Sequence, residues 1–258
     1  MALYAFDGTW NQDHTATELD TNVVWFRDAY ADGNVFYLSG PGTRGGWLGK
    51  IAGGITGLGA KTRVNEGLRA LATNIAQGDR VVDIVGFSRG AAIALHFANI
   101  VAERYSCSPV RFLGLWDTVP SFGVPGNEID WGWRLGYPVT VDRCVHAMAK
   151  DEARYNFPLH RVPKDVRLTE MWFRGVHSDV GGGNGNGGLS SIALDWIFGE
   201  AHRSGVRLHT WKVAENRARI NAAAQVSKYA VAVKLRHREV SAGDLLHPTA
   251  CVPVRDAA

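Results

Sequence analysis

The chain has 258 residues, 46% hydrophobic and 21% charged, enough to build a sizeable core in one α/β domain spanning 1–258. A net charge of +3 without a dense Lys/Arg run argues against a nucleic-acid partner, and the small basic cluster LRHRE at 235–239 reads as a solvated face. Cys107, Cys144 and Cys251 lack C-x-x-C spacing, which argues against a disulfide framework or a structural zinc site, and no signal peptide or run of about 18 apolar residues is present, so the expectation is a cytoplasmic protein with signal-free export open to it.

In chain order, ALYAF opens with a buried strand and turns at Asp7-Gly8-Thr9. NVVWFRDAYA reads as a helix and NVFYLSG as a strand, followed by a glycine-rich connection over 40–61. Residues 54–62 look superficially like a phosphate-binding G-x-x-x-x-G-K-[ST] loop, but the spacing is off by one and no strand precedes it. The stretch 63–79 has apolar residues at 64, 68, 71, 72 and 75 and a Gly stop at 78, the pattern of an amphipathic helix. VRFLGLWDTV is the next buried strand, and the Pro/Gly/Trp-rich residues that follow suggest a cap or long loop around 119–165. CVHAMAKDEARYNF (144–157) reads as a helix, LTEMWFRGVHSDVGGG as a strand ending in a glycine loop, and LSSIALDWIFGEAHRSG as a helix. The tail offers a helix over 212–224, a strand-like YAVAVKL and the loop LLHPTA. Strands alternating with helices predict a mostly parallel central sheet with helices on both faces, whose ligands sit beyond the carboxyl ends of the strands. Asp7, Ser88, Asp117 and Asp179 all fall at such ends.

The most informative stretch is VVDIVGFSRGAA at 81–92. A β-branched run ends in Gly86-Phe87-Ser88-Arg89-Gly90, and AAIALHFANIVA can start a helix at once. This is the G-x-S-x-G nucleophile elbow in its context of strand, sharp turn and helix. The glycines are needed because a side chain at Gly86 or Gly90 would collide with the neighbouring strand or helix. A serine nucleophile needs a base and an orienting carboxylate, in the chain order Ser, acid, His for an α/β-hydrolase-like fold. Counting strands after the elbow favours Asp179 as the acid, with Asp117 as the alternative. His247, after the last strand-like segment, is the favoured base, and His177 the runner-up. The oxyanion hole is expected at the backbone N–H of Arg89, with a second donor at Thr9 or Gly8, and Asp7 holding that loop. The Arg89 guanidinium is suited either to an anionic substrate or to a structural ion pair. His177-x-Asp179 alone is weak metal-ligand spacing, so no metal and no cofactor are expected.

FDGTWN (6–11), GPGT (40–43), GFSRGAA (86–92), LWDTV (115–119), HAMAKDEAR (146–154), WFRGVHSDVGGG (172–183) and LHPT (246–249) occur in family order. Together they resemble the α/β-hydrolase family of Tle1-like phospholipase effectors of type VI secretion. The resemblance implies a Ser-His-Asp carboxylester hydrolase, in characterised effectors cleaving the acyl ester of a glycerophospholipid. Carried over by motif, it implies Ser88 as nucleophile, Asp179 as acid and His247 as base. Such effectors usually carry further domains, and this chain is little more than a catalytic core. A small-ester esterase or thioesterase, and a non-catalytic binding module on the same fold, are the alternatives. Trp47, Trp131 and Trp133 suit either a lipid-facing lid in peripheral membrane contact or packing over the core.

Overall fold

The computed structural model describes residues 1–8, 19–39, 57–120, 132–229 and 234–251. In chain order the elements are β1 (Ala2–Phe6), α1 (Asn22–Ala29), β2 (Asn34–Leu38), α2 (Gly57–Ala76), β3 (Val82–Phe87), α3 (Arg89–Arg104), β4 (Val110–Trp116), β5 (Cys144–Ala149), β6 (Leu168–Phe173), α4 (His177–Gly181), α5 (Gly187–Arg203), α6 (Thr210–Arg219) and β7 (Leu245–Leu246), ending in a 3-10 turn at Pro248–Cys251. The strands form one seven-stranded sheet in the order β2-β1-β3-β4-β5-β6-β7, every neighbouring pair parallel. The expected α/β-hydrolase-like architecture is therefore present.

Alternation along the strands divides the core into two layers. Tyr4, Phe6, Ile84, Leu113 and Leu115 face α2 and α3. Leu3, Ala5, Val85, Phe87, Phe112 and Trp116 face α1 and α5. Strands covered on both faces bury every residue, as β1, β3 and β5 do. The chain leaves β1 for β2 on one side and then returns to β3 and spreads to the other. Asp7 and Ser88 stand at that reversal, at the carboxyl ends of β1 and β3, the place where open parallel sheets characteristically bind ligands.

The largest departure from the sequence reading lies in the middle of the sheet. Residues 144–149 were expected to be helical and instead form β5 in the middle of the sheet. Ala, Met and His carry no strand propensity, but this segment is fully buried between β4 and β6, and tertiary packing overrides so weak a local preference. Elsewhere, the stretch resembling a phosphate loop runs into α2, with Lys61 inside the helix. Of the expected cap, residues 132–143 fold against the domain. Asn99 of α3 donates to the carbonyls of Arg134 and Gly136, and Trp133 meets the His96 ring edge-on at 4.7 Å. Trp133 thus packs, partly buried, against α3; Trp47 and Trp131 lie outside the described residues. Most of the strand-like YAVAVKL also lies outside them. No helix among the described residues is long and apolar enough to cross a membrane.

Candidate active site

Strand β3 runs straight into α3, and Ser88 is the one-residue corner between them. Its backbone sits at φ 58°, ψ −124°, a conformation that side chains rarely adopt and that costs about 1–3 kcal/mol. The flanking glycines make the corner possible. A Cβ on Gly86 would stand 2.7 Å from the Gly90 carbonyl oxygen and from the Ala91 Cα. A Cβ on Gly90 would overlap the Phe6 carbonyl and stand 2.6 Å from that of Asp7, so only glycine lets α3 start this close to β1. The corner is pinned on its far side: Ser88 N–H donates to the Trp116 carbonyl at 3.0 Å and the Val119 N–H to the Ser88 carbonyl at 3.2 Å. Ser88 therefore lies directly beside the end of β4, with its hydroxyl at the N-terminus of a sixteen-residue helix.

The end of β4 carries Asp117, the other non-glycine residue with positive φ among the described residues, at 40°. Its N–H donates to the Ala147 carbonyl at 2.8 Å, which turns the wholly buried carboxylate back over the sheet. There it accepts from the Ala149 N–H at 2.8 Å and meets His177 Nδ1 at 2.5 Å. His177 opens α4 after β6, and its ring lies between two aromatic rings, Phe87 at 4.6 Å and Phe157 at 4.9 Å between centroids. Phe87 immediately precedes the serine, so the imidazole packs on the residue next to the elbow. Burial alone would push the Asp117 carboxyl up, but the Arg238 guanidinium and the His177 bond hold it well below the usual carboxylate range. An ionised Asp117 accepts only, so Nδ1 carries the His177 proton and Nε2 the free lone pair. Burial lowers the His177 pKa below its ordinary value, and Asp117 only partly opposes this, so the ring is a neutral base near pH 7.

Two further residues complete the cluster, and sequence reasoning missed both. Glu152 is buried and accepts from the His177 N–H at 3.1 Å, from Arg154 and from the Tyr229 hydroxyl. This fixes the loop that presents the imidazole. Arg238 comes from the segment read as a solvated face. Arg236 and His237 are indeed exposed, but the Arg238 side chain turns inward and is 8% exposed. The only local sign of either residue was the acidic run after 149.

The favoured acid and base are not joined. The Asp179 carboxylate is filled by the Val176 N–H at 3.1 Å, the Ser227 N–H at 2.9 Å, the Ser227 hydroxyl at 2.5 Å, and the amides of Asn184 and Asn186. It ties the α4 turn to the chain beyond α6 and does not touch a histidine ring in these bonds. His247 lies beyond β7, four strand positions from β3, which is roughly 19 Å at about 4.8 Å per strand. Its Nδ1 meets the Thr249 hydroxyl at 2.9 Å, its ring stacks on Phe173 at 4.9 Å, and it lines a groove of about 400 Å³ with Asp195, Trp196 and Arg217. His247→Ala is therefore expected to leave ester hydrolysis within about threefold of wild type while costing about 1 kcal/mol of stability in urea unfolding.

Of the expected oxyanion donors, the Gly8 N–H is already taken by Asp7 Oδ1 at 2.7 Å, and Thr9 lies outside the described residues. Asp7 also accepts the hydroxyls of Thr21 and Tyr37, each at 2.8 Å. It fastens the end of β1 rather than entering the cluster. The Arg89 N–H belongs to the first turn of α3, where backbone donors have no partner within the helix, and it points beyond the sheet with the positive end of the helix dipole. The arrangement is able to activate a serine hydroxyl and to stabilise an oxyanion.

The family model described as T6SS, Phospholipase effector Tle1-like, catalytic domain matches residues 3–105 and 98–200. No curated protein matches the chain. Among solved structures, an uncharacterized protein from Pseudomonas aeruginosa superposes with a TM-score of 0.68 at 23% identity, covering 84% of this chain and 48% of that one. The structure of the Tle1 effector bound to the VgrG spike from the Type 6 secretion system gives a TM-score of 0.50 at 24% identity, covering 71% of this chain and 51% of that one. The chain thus spans about half the length of the structures it matches.

Proposed function

Because the chain belongs to the family of Tle1-like catalytic domains of type VI secretion phospholipase effectors, we propose that it hydrolyses the acyl ester of a glycerophospholipid with Ser88 as nucleophile, His177 as base and Asp117 as acid. Membership alone supports a lipase- or phospholipase-like hydrolase. The observation that carries the residue assignment is the buried His177–Asp117 bond of 2.5 Å, whose imidazole packs on Phe87 beside the strained Ser88 corner.

The chemistry runs in two halves. Ser88 Oγ attacks the acyl carbonyl carbon while its proton passes to His177 Nε2. The imidazolium so formed is stabilised through Nδ1–H by Asp117. The carbonyl oxygen, now negative, is met by the Arg89 N–H and the α3 dipole. The C–O bond to the glycerol oxygen breaks, and His177 returns its proton to that leaving oxygen. Water then repeats the sequence on the acyl-serine and releases a fatty acid.

The phospholipid reading has a second support in the Arg89 side chain. The guanidinium has no ion pair or hydrogen bond among the described residues, and burial lowers its pKa to about 10. A desolvated cation next to the nucleophile suits a phosphodiester. Arg89→Gln is expected to raise KM for an anionic phospholipid about tenfold and to leave kcat/KM for a neutral short ester within about twofold.

The deciding experiment is hydrolysis of a p-nitrophenyl ester and of phospholipid vesicles by wild type and Ser88→Ala, with fluorophosphonate labelling of both. Wild type is expected to be active and labelled, and Ser88→Ala slower by at least about 10⁴-fold. Preference for the short ester would make the protein an esterase or thioesterase. Silence of wild type, with no labelling, would leave a binding module on the same fold. Loading onto a secretion spike, and hence export from the cytoplasm, belongs to the same proposal, on the strength of the VgrG complex of the Tle1 neighbour.

A further inference from the structure

The acid of the proposed triad has a partner that the triad chemistry does not require. Arg238 lies 121 residues along the chain from Asp117 and is nearly as buried. Its guanidinium forks across the carboxylate, one nitrogen 2.6 Å from Oδ1 and the other 3.1 Å from Oδ2. The same two nitrogens donate to the carbonyls of Ala149, at 2.8 Å, and Phe157, at 3.0 Å. Ala149 is the residue whose N–H bonds Asp117, and Phe157 supplies one of the rings enclosing His177. The segment bearing Arg238 is itself seated, with Arg236 N–H on the Ala153 carbonyl at 2.6 Å and Tyr155 N–H on the Lys234 carbonyl at 2.9 Å.

We propose that Arg238 is a positioning residue for the hydrolytic centre, holding Asp117 ionised and oriented toward His177 and drawing off part of the charge that His177 would otherwise feel. The inference rests on the assignment of Asp117 and His177 to the triad. Its physical basis is competition for one carboxylate. A bidentate guanidinium fixes the plane of the carboxylate, so the oxygen facing Nδ1 cannot swing away. It also neutralises much of the negative charge at close range, so the imidazolium gains less from Asp117 and the neutral base is favoured.

The other charged groups around His177 do not duplicate this. Glu152 and Arg154, from the loop after β5, form their own pair, at 2.7 Å. Tyr229 bonds Glu152, and Asp179 on α4 is engaged by Ser227 and the two asparagines. Arg238 alone among them bonds the carboxylate that faces Nδ1.

The test is the pH dependence of kcat/KM for a neutral p-nitrophenyl ester, with an NMR titration of the His177 ring, in wild type, Arg238→Gln and Arg238→Lys. With the cation removed, Arg238→Gln is expected to move both the acidic limb and the ring titration upward by about one pH unit. Arg238→Lys keeps the charge but loses the fork, so its limb should stay within about 0.3 unit of wild type while plateau kcat falls roughly tenfold. If Arg238→Gln folds and neither the limb nor the ring titration moves, the proposal is overturned. If it does not fold, a wild-type plateau in Arg238→Lys overturns it equally. A wild type that hydrolyses nothing would instead sink the triad assignment, and the ring titration would still report whether Arg238 acts on His177.

Discussion

If the proposed triad holds, His177→Ala is expected to lower kcat for ester hydrolysis by about 10⁴- to 10⁶-fold, and adding Ser88→Ala to it should cost nothing more. Residues of one catalytic unit fail together, because a serine without its base is no better than no serine. The residual rate comes from the Arg89 N–H and from substrate binding, which neither change touches. The pH dependence gives an independent reading. Burial between Phe87 and Phe157 disfavours the imidazolium, and Asp117 restores only part of the loss. The His177 pKa therefore lies below its ordinary 6.5. Only the neutral ring accepts the serine proton, so kcat/KM rises with pH and levels off with a midpoint below 6.5. A midpoint above that value, or a double variant slower than His177→Ala by tenfold or more, would mean that another group takes the proton. The single-residue comparison with His247→Ala is then decisive, since the His177 ring meets Phe87 and Asp117 at the ends of β3 and β4, whereas His247 lies beyond β7.

What sequence could and could not reveal follows from the range of the interactions involved. The elbow was legible because every requirement is local: two glycines, a strand before and a helix after, all within 81–102. The parallel sheet was legible because β1 is an unbroken apolar run and β3 and β4 are interrupted only by Asp83 and Arg111. Strand β5 was not, because a strand buried on both faces shows no alternation, and Ala147, Met148 and Ala149 in it suit a helix. That one element also changes which aspartate the strand count points to. With 144–149 read as a helix, Asp179 closes the second strand after the elbow; with β5 in the sheet it follows the third. The base was drawn toward His247 by chain order, although His177 also follows the acid once the acid is Asp117. Arg238 was invisible for another reason. A lone Arg in a charged run is by composition a surface residue, and only the long-range fold brings it to Asp117. The two strained backbones have opposite legibility. Ser88 announces itself through its glycines, whereas Asp117 at φ 40° has no glycine neighbour to mark it.

That strain decides how Asp117 is best tested. Asparagine tolerates the left-handed backbone region better than any residue but glycine, so Asp117→Asn keeps the corner after β4, where alanine would confound strain with chemistry. The amide can still accept from the Ala149 N–H through its oxygen. Its nitrogen then faces His177 Nδ1 as a donor, which is satisfied only if Nδ1 is unprotonated and the proton sits on Nε2. The imidazole is thereby held in the tautomer that cannot accept from Ser88, and kcat falls by about 10⁴-fold with little change in KM. Stability falls as well, because Arg238, 8% exposed, loses its counter-charge and remains buried. Breaking such a pair from one side costs about 3–5 kcal/mol, far more than the net value of the pair itself. The two losses separate in Asp117→Asn/Arg238→Gln, where no charge is left unpaired. That double variant should regain most of the stability in urea unfolding and none of the activity. Recovery of activity along with stability would show that Asp117 serves the fold alone.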